Sequence, residues 1–187
     1  MMQLLFYLIA LALSLFGTNP DLSAVTDILF PSRTAQLSIP AINVEAQVVP
    51  VELKSFPDGV VTWDVSQIDW EVGYFEGTGW FGQGSNTVLG GHSELEARTP
   101  GVFQHLDQLD IGDTVSVTTR RGQWLFMVED VTTVAIDDLS PLYPSEEEQL
   151  TLITCDPQSY VEVDGDVLYD RRVVVTASLV TFFAGEN

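Results

Sequence analysis

Eight short runs of mainly apolar residues, separated by turn-forming residues, constrain the fold of this 187-residue chain more than any other feature. They occupy residues 36–39, 44–51, 60–63, 87–89, 114–119, 123–136, 149–155 and 172–179. Many short strands joined by turns are typical of a barrel or a sandwich. The sequence therefore predicts an all-β domain built from eight strands.

Two of the runs show the alternation that is typical of a strand with one buried face. Val115 and Val117 alternate with polar neighbours, and Trp124 and Phe126 share one face of the following run. Successive side chains of a strand point to opposite faces, so each pair is expected to face the core. Residues 120–123 are expected to join the two runs as a hairpin.

Few parts of the chain favour a helix. The apolar spacing over residues 102–109 predicts a short helix, and the Thr-Pro pair that precedes it is a favourable start. Residues 73–91 are rich in glycine and aromatic side chains, and they are expected to form a packed loop that flanks the functional site. Two longer connections, residues 137–148 and 156–170, are expected to wall a groove, because long loops in compact domains usually serve a function.

The first 16 residues are almost entirely apolar and are followed by Gly-Thr-Asn-Pro. This length lies between a signal-peptide core and the roughly 20 residues of a spanning helix. No small-x-small cleavage site falls near Gly17, so the sequence predicts an uncleaved hydrophobic anchor helix rather than a removed signal peptide. A buried core helix is the alternative, although such a helix usually shows a polar stripe.

Residues 17–33 mix proline, serine and aspartate with scattered apolar positions, which is typical of a linker. The prediction therefore has three parts: an anchor over residues 1–16, a linker over residues 17–33 and a folded domain over residues 34–187. An export or anchor segment of this kind predicts attachment to the cell membrane. No Lys or Arg precedes it, so the positive-inside rule does not orient it, and a folded domain outside the cytoplasm is expected if the segment directs export.

The charge balance excludes one class of partner. The chain has 27 acidic and seven basic residues, for a formal net charge of −20. Nucleic acid is therefore not expected to bind, because its phosphates require clustered cations. The acidic run at residues 146–148 lacks the spacing of an EF-hand calcium loop, and no metal or cofactor is predicted.

Cys155 is the only cysteine of the sequence. A single cysteine cannot form an internal disulfide, so it is free, bonded to another chain or catalytic. It closes the run at residues 149–155, and Arg171 and Arg172 stand at the start of the next run. If these runs are neighbouring antiparallel strands, the thiol and a guanidinium meet at one edge of the sheet. Alternation allows only one of the two arginines to face the thiol.

His92 follows the run at residues 87–89 and is the candidate base. His105 competes for this role, but its position in the predicted helix favours His92. Together with Cys155 and one of the two arginines, His92 would supply a nucleophile, a base and an anion-stabilising cation. The simpler alternatives are a cysteine buried as a small apolar residue, a histidine that caps a turn and an arginine pair that is solvated at an acidic surface.

Several stretches are specific when they are taken together. They are Leu-Ser-Ile-Pro at residues 37–40, residues 86–91 before His92, residues 103–109 followed by Gly112 and Asp113, residues 150–155, and Arg172 ahead of residues 173–177. Over most of residues 34–180 the chain thereby resembles the sortase family of membrane-anchored cysteine transpeptidases. The resemblance implies a closed eight-stranded β-barrel with one or two short helices. Cys155 would end its seventh strand, Arg172 would begin its eighth, and His92 would lie on a loop beside them.

The resemblance also implies an activity. Cys155 would cleave a C-terminal sorting motif of the Leu-Pro-x-Thr-Gly kind after its threonine and form a thioester, with His92 and Arg172 as catalytic partners. The acceptor would be an amine of a cell-wall precursor or a pilin lysine, and the donor a secreted protein that carries the sorting signal. A free thiol with a pKa of about 8.5 is mostly protonated at neutral pH, so cationic neighbours are expected to favour the thiolate.

Two other functions are consistent with the sequence. A thiol hydrolase that processes exported proteins would use the same residues but pass the acyl group to water. A non-catalytic exported β-barrel binding module would carry an inert cysteine. The loops match no specificity pattern, so no substrate-binding residues are predicted.

Overall fold

The computed structural model describes residues 33–55, 59, 61–96, 99–163 and 166–185. The predicted anchor over residues 1–16 and all of the predicted linker except Arg33 lie outside the described residues. Within the described part of the chain, no helix is long and apolar enough to cross a membrane. The described residues form one compact unit.

Fourteen strands form within the described residues. In chain order they are β1 (Ala35–Ile39), β2 (Val44–Val51), β3 (Leu53–Ser55), β4 (Val61–Trp63), β5 (Val72–Phe75), β6 (Asn86–Gly90), β7 (Glu94–Leu95), β8 (Thr99–Pro100), β9 (Thr114–Thr119), β10 (Gly122–Ala135), β11 (Gln149–Cys155), β12 (Tyr160–Val163), β13 (Asp166–Tyr169) and β14 (Arg171–Ala184). Eight of them close into a barrel in the order β1-β2-β5-β6-β11-β14-β10-β9, and the other six pair as three two-stranded ribbons. The predicted closed eight-stranded barrel is confirmed.

The directions of three neighbouring barrel strands place their ends at one edge. β6 and β11 are parallel, so their carboxyl ends emerge on the same side of the barrel. β14 is antiparallel to β11 and therefore begins at that side. The residues that end β6 and β11 and those that begin β14 are thus brought together from distant parts of the sequence.

Alternating apolar side chains fill the barrel. Val115 and Val117 of β9 and Phe126 of β10 are fully buried, and Trp124 is almost so. All four side chains belong to one core cluster, as the sequence predicts. Complete burial of an aliphatic or aromatic side chain of this size contributes about 1.5–3 kcal/mol to the free energy of folding.

The structure differs from the prediction at one barrel strand. Three of the four residues of β5 lie in the region interpreted as a glycine-rich loop. The run predicted at residues 60–63 contributes only β4, which pairs with β3 outside the barrel. Val72, Gly73 and Tyr74 of β5 are all buried, so no polar alternation marks the strand. The glycine is required there, because a Cβ at this position would come within 2.6 Å of Val51 Cγ2.

The helical segments that lie wholly within the described residues are short 3₁₀ turns: Pro40–Ile42, Val65–Gln67, Leu106–Gln108, Ser140–Leu142 and Pro157–Ser159. The short helix predicted over residues 102–109 is therefore reduced to Leu106–Gln108. Its apolar spacing has another cause, since Phe103, Leu106 and Leu109 pack into the barrel core.

Candidate active site

Cys155 and Arg172 lie directly opposite each other on neighbouring strands. Cys155 ends β11, Arg172 is the second residue of β14, and the two are register partners. The backbone N–H of Asp156 donates to the carbonyl of Arg171 at 3.1 Å. The adjacent Cys155–Arg172 pair is therefore of the non-hydrogen-bonded type, in which facing side chains come closest.

Arg172, rather than Arg171, lies on the face of β14 that the thiol shares. Its Nη1 donates to the carbonyls of Tyr169 at 2.9 Å and of Arg171 at 3.0 Å, which fixes the guanidinium beside the strand. Arg171 lies on the other face, where its Nη2 pairs with the Asp156 carboxylate at 3.0 Å. Among the described residues, Nε and Nη2 of Arg172 have no protein partner, so both can donate to a bound anion.

His92 follows β6 at the edge of the barrel where β11 ends. The pairing of β6 with β11 continues past the end of β6, because the Gly91 N–H donates to the Ile153 carbonyl at 3.2 Å. The Gly91 carbonyl in turn accepts from Thr154 Oγ1 at 2.8 Å. His92 is the next residue after these contacts, and its side chain is half-buried. Its ring makes no hydrogen bond within the described part of the chain, so both ring nitrogens are available.

His105, the competing candidate, is exposed and bonded within its own segment. Its two ring nitrogens pair with the side-chain amides of Gln104 at 2.6 Å and Gln108 at 2.9 Å. This segment contacts His92 through the backbone, where the Phe103 N–H donates to the His92 carbonyl at 2.9 Å. The geometry thus favours His92 as the base candidate.

Burial raises the pKa of the Cys155 thiol above its ordinary value. Arg172 lowers this pKa and the Glu94 carboxylate raises it, each by less than burial does. Arg172 therefore acts in the direction that the sequence predicts, but burial outweighs it. Glu94 is a residue that sequence reasoning missed. At neutral pH the free protein holds an uncharged thiol.

The reactivity of Cys155 toward iodoacetamide is expected to follow this raised pKa. The alkylation rate should keep rising above the inflection of a free cysteine at about pH 8.5, because only the thiolate reacts. Glu94→Gln should move the inflection to lower pH and Arg172→Gln to higher pH. Alkylation rates measured from pH 6 to 10.5, with Glu96→Gln as the control, test this. An inflection at or below that of free cysteine would contradict it.

A cavity of about 340 Å³ lies along the strands that carry Cys155 and Arg172. Its lining includes Gln149 of β11 and Val174 and Thr176 of β14. These positions are separated from Cys155 or Arg172 by even numbers of residues, so all five share one face of the sheet. Part of the 137–148 connection forms one wall. The cavity therefore follows the face of the sheet on which the thiol lies.

Hydrogen bonds of the Asn86 side chain join this wall to the barrel. Its side chain is only 2% exposed, and its Nδ2 donates to the carbonyls of Pro141 at 2.9 Å and Tyr143 at 3.0 Å. Its Oδ1 accepts a hydrogen bond from Thr151 Oγ1 at 2.8 Å. The sequence signal for this role is a polar residue at the start of a buried strand, but its hydrogen-bond partners are not visible in the sequence.

The other long connection, residues 156–170, folds into the Pro157–Ser159 turn and the β12–β13 hairpin. Tyr169, at the end of this hairpin, contacts the site twice. Its carbonyl accepts from Arg172, and its hydroxyl donates to Glu94 Oε2 at 2.9 Å. The hairpin thereby connects the guanidinium of the candidate site with the carboxylate that follows His92.

Comparison with known proteins gives one consistent family. The family model described as a Sortase domain matches residues 37–180. Sortase D of Bacillus subtilis (strain 168) is 28% identical over 140 residues, which cover 73% of this chain and 62% of that protein. The chain thus spans less than two thirds of the length of this curated relative.

Solved structures with low sequence identity have the same fold. Sortase A of Listeria monocytogenes superimposes with a TM-score of 0.63 at 16% identity, covering 82% of this chain and 90% of that one. A lid mutant of sortase A from Corynebacterium diphtheriae gives a TM-score of 0.63 at 24% identity, covering 88% and 81%. The family match extends over most of the folded domain, and the chain therefore belongs to the sortase family.

Proposed function

We propose that this protein is a membrane-anchored cysteine transpeptidase whose folded domain acts outside the cytoplasm. It cleaves a C-terminal sorting motif of the Leu-Pro-x-Thr-Gly kind through a thioester on Cys155 and transfers the donor protein to an amine at the cell surface. The register that sets Cys155 opposite Arg172, with His92 following the neighbouring strand β6 at the same edge of the barrel, is the observation that carries this proposal. Membership of the sortase family supports the reaction class.

Acylation begins from the neutral thiol, since burial disfavours the thiolate. The Cys155 proton passes to the His92 imidazole, and the sulfur attacks the carbonyl carbon of the scissile peptide bond. Negative charge then develops on the carbonyl oxygen, where the free Nε and Nη2 donors of Arg172 stabilise it by charge-assisted hydrogen bonds. His92 gives its proton to the departing amine, the carbon–nitrogen bond breaks, and a thioester remains on the sulfur.

Deacylation forms the new bond. The acceptor amine, from a cell-wall precursor or a pilin lysine, attacks the thioester carbonyl, and the carbon–sulfur bond breaks as an amide forms. The ammonium form of the acceptor gives up two protons in this step. One returns to the Cys155 sulfur, and the other leaves through His92 to solvent. Water in place of the amine would give hydrolysis instead.

The cavity along β11 and β14 is the donor site in this proposal. Its lining combines apolar side chains, such as Val134, Val174 and Pro141, with polar ones such as Gln149. An extended peptide bound along the sheet would contact both kinds of group and would present its carbonyl to Cys155 at the end of β11. The apolar residues 1–16 are proposed to hold the protein at the membrane, where exported donors emerge.

A library of Leu-Pro-x-Thr-Gly-type peptides, incubated with and without an added amine, tests the proposal. We expect a thioester adduct on Cys155 by intact-protein mass spectrometry and an amide product that contains the added amine. Cleavage to the free acid alone, even at high amine concentration, would indicate the thiol hydrolase. If no peptide gives an adduct or a cleavage product, a transpeptidase of this specificity is excluded.

A further inference from the structure

Glu94 is a carboxylate at the candidate site that the proposed reaction does not yet use. It begins β7, two residues after His92, and its side chain is half-buried. β7 pairs with β8, so Glu94 is held by a register contact with Pro100. Its backbone is therefore positioned by the same short segment that positions the candidate base.

Tyr169 orients the Glu94 carboxylate. The tyrosine hydroxyl donates to Oε2 at 2.9 Å, while the carbonyl of the same tyrosine accepts from the Arg172 guanidinium. In the part of the chain that the structure describes, the other oxygen, Oε1, has no hydrogen-bond partner. One oxygen is thus fixed by the hairpin, and the other is free to accept from a ligand.

The Glu94 carboxylate disfavours acylation of Cys155 but favours the approach of the acceptor amine in deacylation. Glu94 disfavours the Cys155 thiolate, so it is a cost to the attack on the donor. Once the thioester has formed, the sulfur carries no charge and this repulsion is gone. A primary amine, in contrast, arrives at neutral pH as a cation, because its pKa is about 10.4 for a lysine side chain.

We propose that Glu94, held by Tyr169, binds the ammonium group of the acceptor amine beside the thioester. The ligand is a primary ammonium, such as a peptide amino terminus or a lysine side chain. Glu94 positions this cation and raises its local concentration, and His92 takes the proton that must leave before the nitrogen attacks. The identity of the cation as the acceptor rests on the proposed transpeptidase function.

Methanethiosulfonate reagents test the cation site without any peptide. The Cys155 thiolate attacks the sulfenyl sulfur of the reagent, a disulfide forms, and methanesulfinate leaves. The measured quantity is the ratio of the rate with a cationic trimethylammonium-ethyl reagent to the rate with the neutral methyl reagent. This ratio cancels any change in the fraction of thiolate, which a charge substitution also alters.

Glu94→Gln is expected to lower this ratio by about twofold to fivefold, the effect of one partly solvated ion pair. The matched control is Glu96→Gln, which removes an exposed carboxylate from the same loop and should leave the ratio unchanged. Tyr169→Phe keeps the Glu94 carboxylate but removes the hydrogen bond that the tyrosine hydroxyl donates to it, so a smaller decrease in the ratio is expected. An unchanged ratio in Glu94→Gln, or equal decreases in Glu94→Gln and Glu96→Gln, would overturn the inference.

Acceptor kinetics then separate the cation site from the transpeptidase function. With a donor peptide from the library, Glu94→Gln should raise the KM for triglycine relative to the KM for hydroxylamine, which is uncharged at neutral pH. Equal changes in both values would refute recognition of the ammonium charge. If the methanethiosulfonate ratio falls but the wild-type protein forms no acyl adduct, the cation site stands, while both the proposed function and the acceptor assignment are wrong.

Discussion

Replacing Cys155 with alanine is expected to reduce cleavage of the sorting peptide by at least about 10⁴-fold, because the substitution removes the only nucleophile of the proposed reaction. Cys155 is the only cysteine in the sequence, so no second thiol can substitute for it. Initial rates with a fluorogenic donor peptide measure the loss. Intact-protein mass spectrometry should show no thioester adduct in the variant.

The fold of the Cys155→Ala variant should be retained. Cys155 is half-buried at the end of β11, and its side chain is replaced by a smaller apolar one, so only a small decrease in the melting temperature is expected. Cys155→Ser is the matched control, because it keeps the size and hydrogen-bonding capacity of the side chain but provides a much weaker nucleophile. Cleavage at the wild-type rate in either folded variant would exclude the thioester mechanism.

Arg172→Gln is expected to lower kcat by about 10²–10³-fold, the usual effect of losing one donor to a developing oxyanion. The amide of glutamine keeps a donor but loses the positive charge that also lowers the pKa of the thiol. Arg172→Lys should be more active than Arg172→Gln but less active than the wild type. It keeps the positive charge but lacks the planar guanidinium whose Nε and Nη2 would donate to the oxyanion. Steady-state kinetics on the donor peptide measure both variants.

Arg171→Gln tests whether the loss of kcat in Arg172→Gln comes from the position of the guanidinium or from the loss of any positive charge nearby. This variant removes the same net charge one residue away, but it breaks the ion pair with the nearly buried carboxylate of Asp156. Its main expected effect is a lower melting temperature, because the carboxylate is left without its cation. A loss of kcat as large as that of Arg172→Gln would show that the assignment of the oxyanion donor is wrong.

The pairing of Cys155 with the start of β14 could be predicted because it depends on two local patterns. An apolar run ends at the cysteine, another begins at the arginine pair, and antiparallel pairing joins such ends. Alternation allows only one of the two arginines to face the thiol, and the resemblance to the sortase family selected Arg172. The structure gives Arg171 a different partner on the other face. The catalytic roles of these residues stay predictions until the variants are measured.

Other parts of the fold and site were not visible in the sequence for identifiable reasons. β5 is buried on both faces, so it lacks the polar alternation that marks a strand with one solvated side. Glu94 looks like one of many carboxylates in an acidic chain, and its importance arises from Tyr169, which lies 75 positions away. Contacts across such distances depend on barrel closure, which local patterns do not specify.

The hydrogen bonds of Asn86 have a consequence for selectivity among donors. Because this buried amide ties the Pro141 and Tyr143 carbonyls to the barrel, the cavity wall is held in place before any peptide arrives. Binding then requires little loss of conformational entropy from the enzyme, and differences in affinity between donor sequences reflect the fit of their side chains to a preorganised surface. Grafting the 137–148 segment of a relative would therefore transfer specificity only if the graft kept the carbonyls that this amide binds.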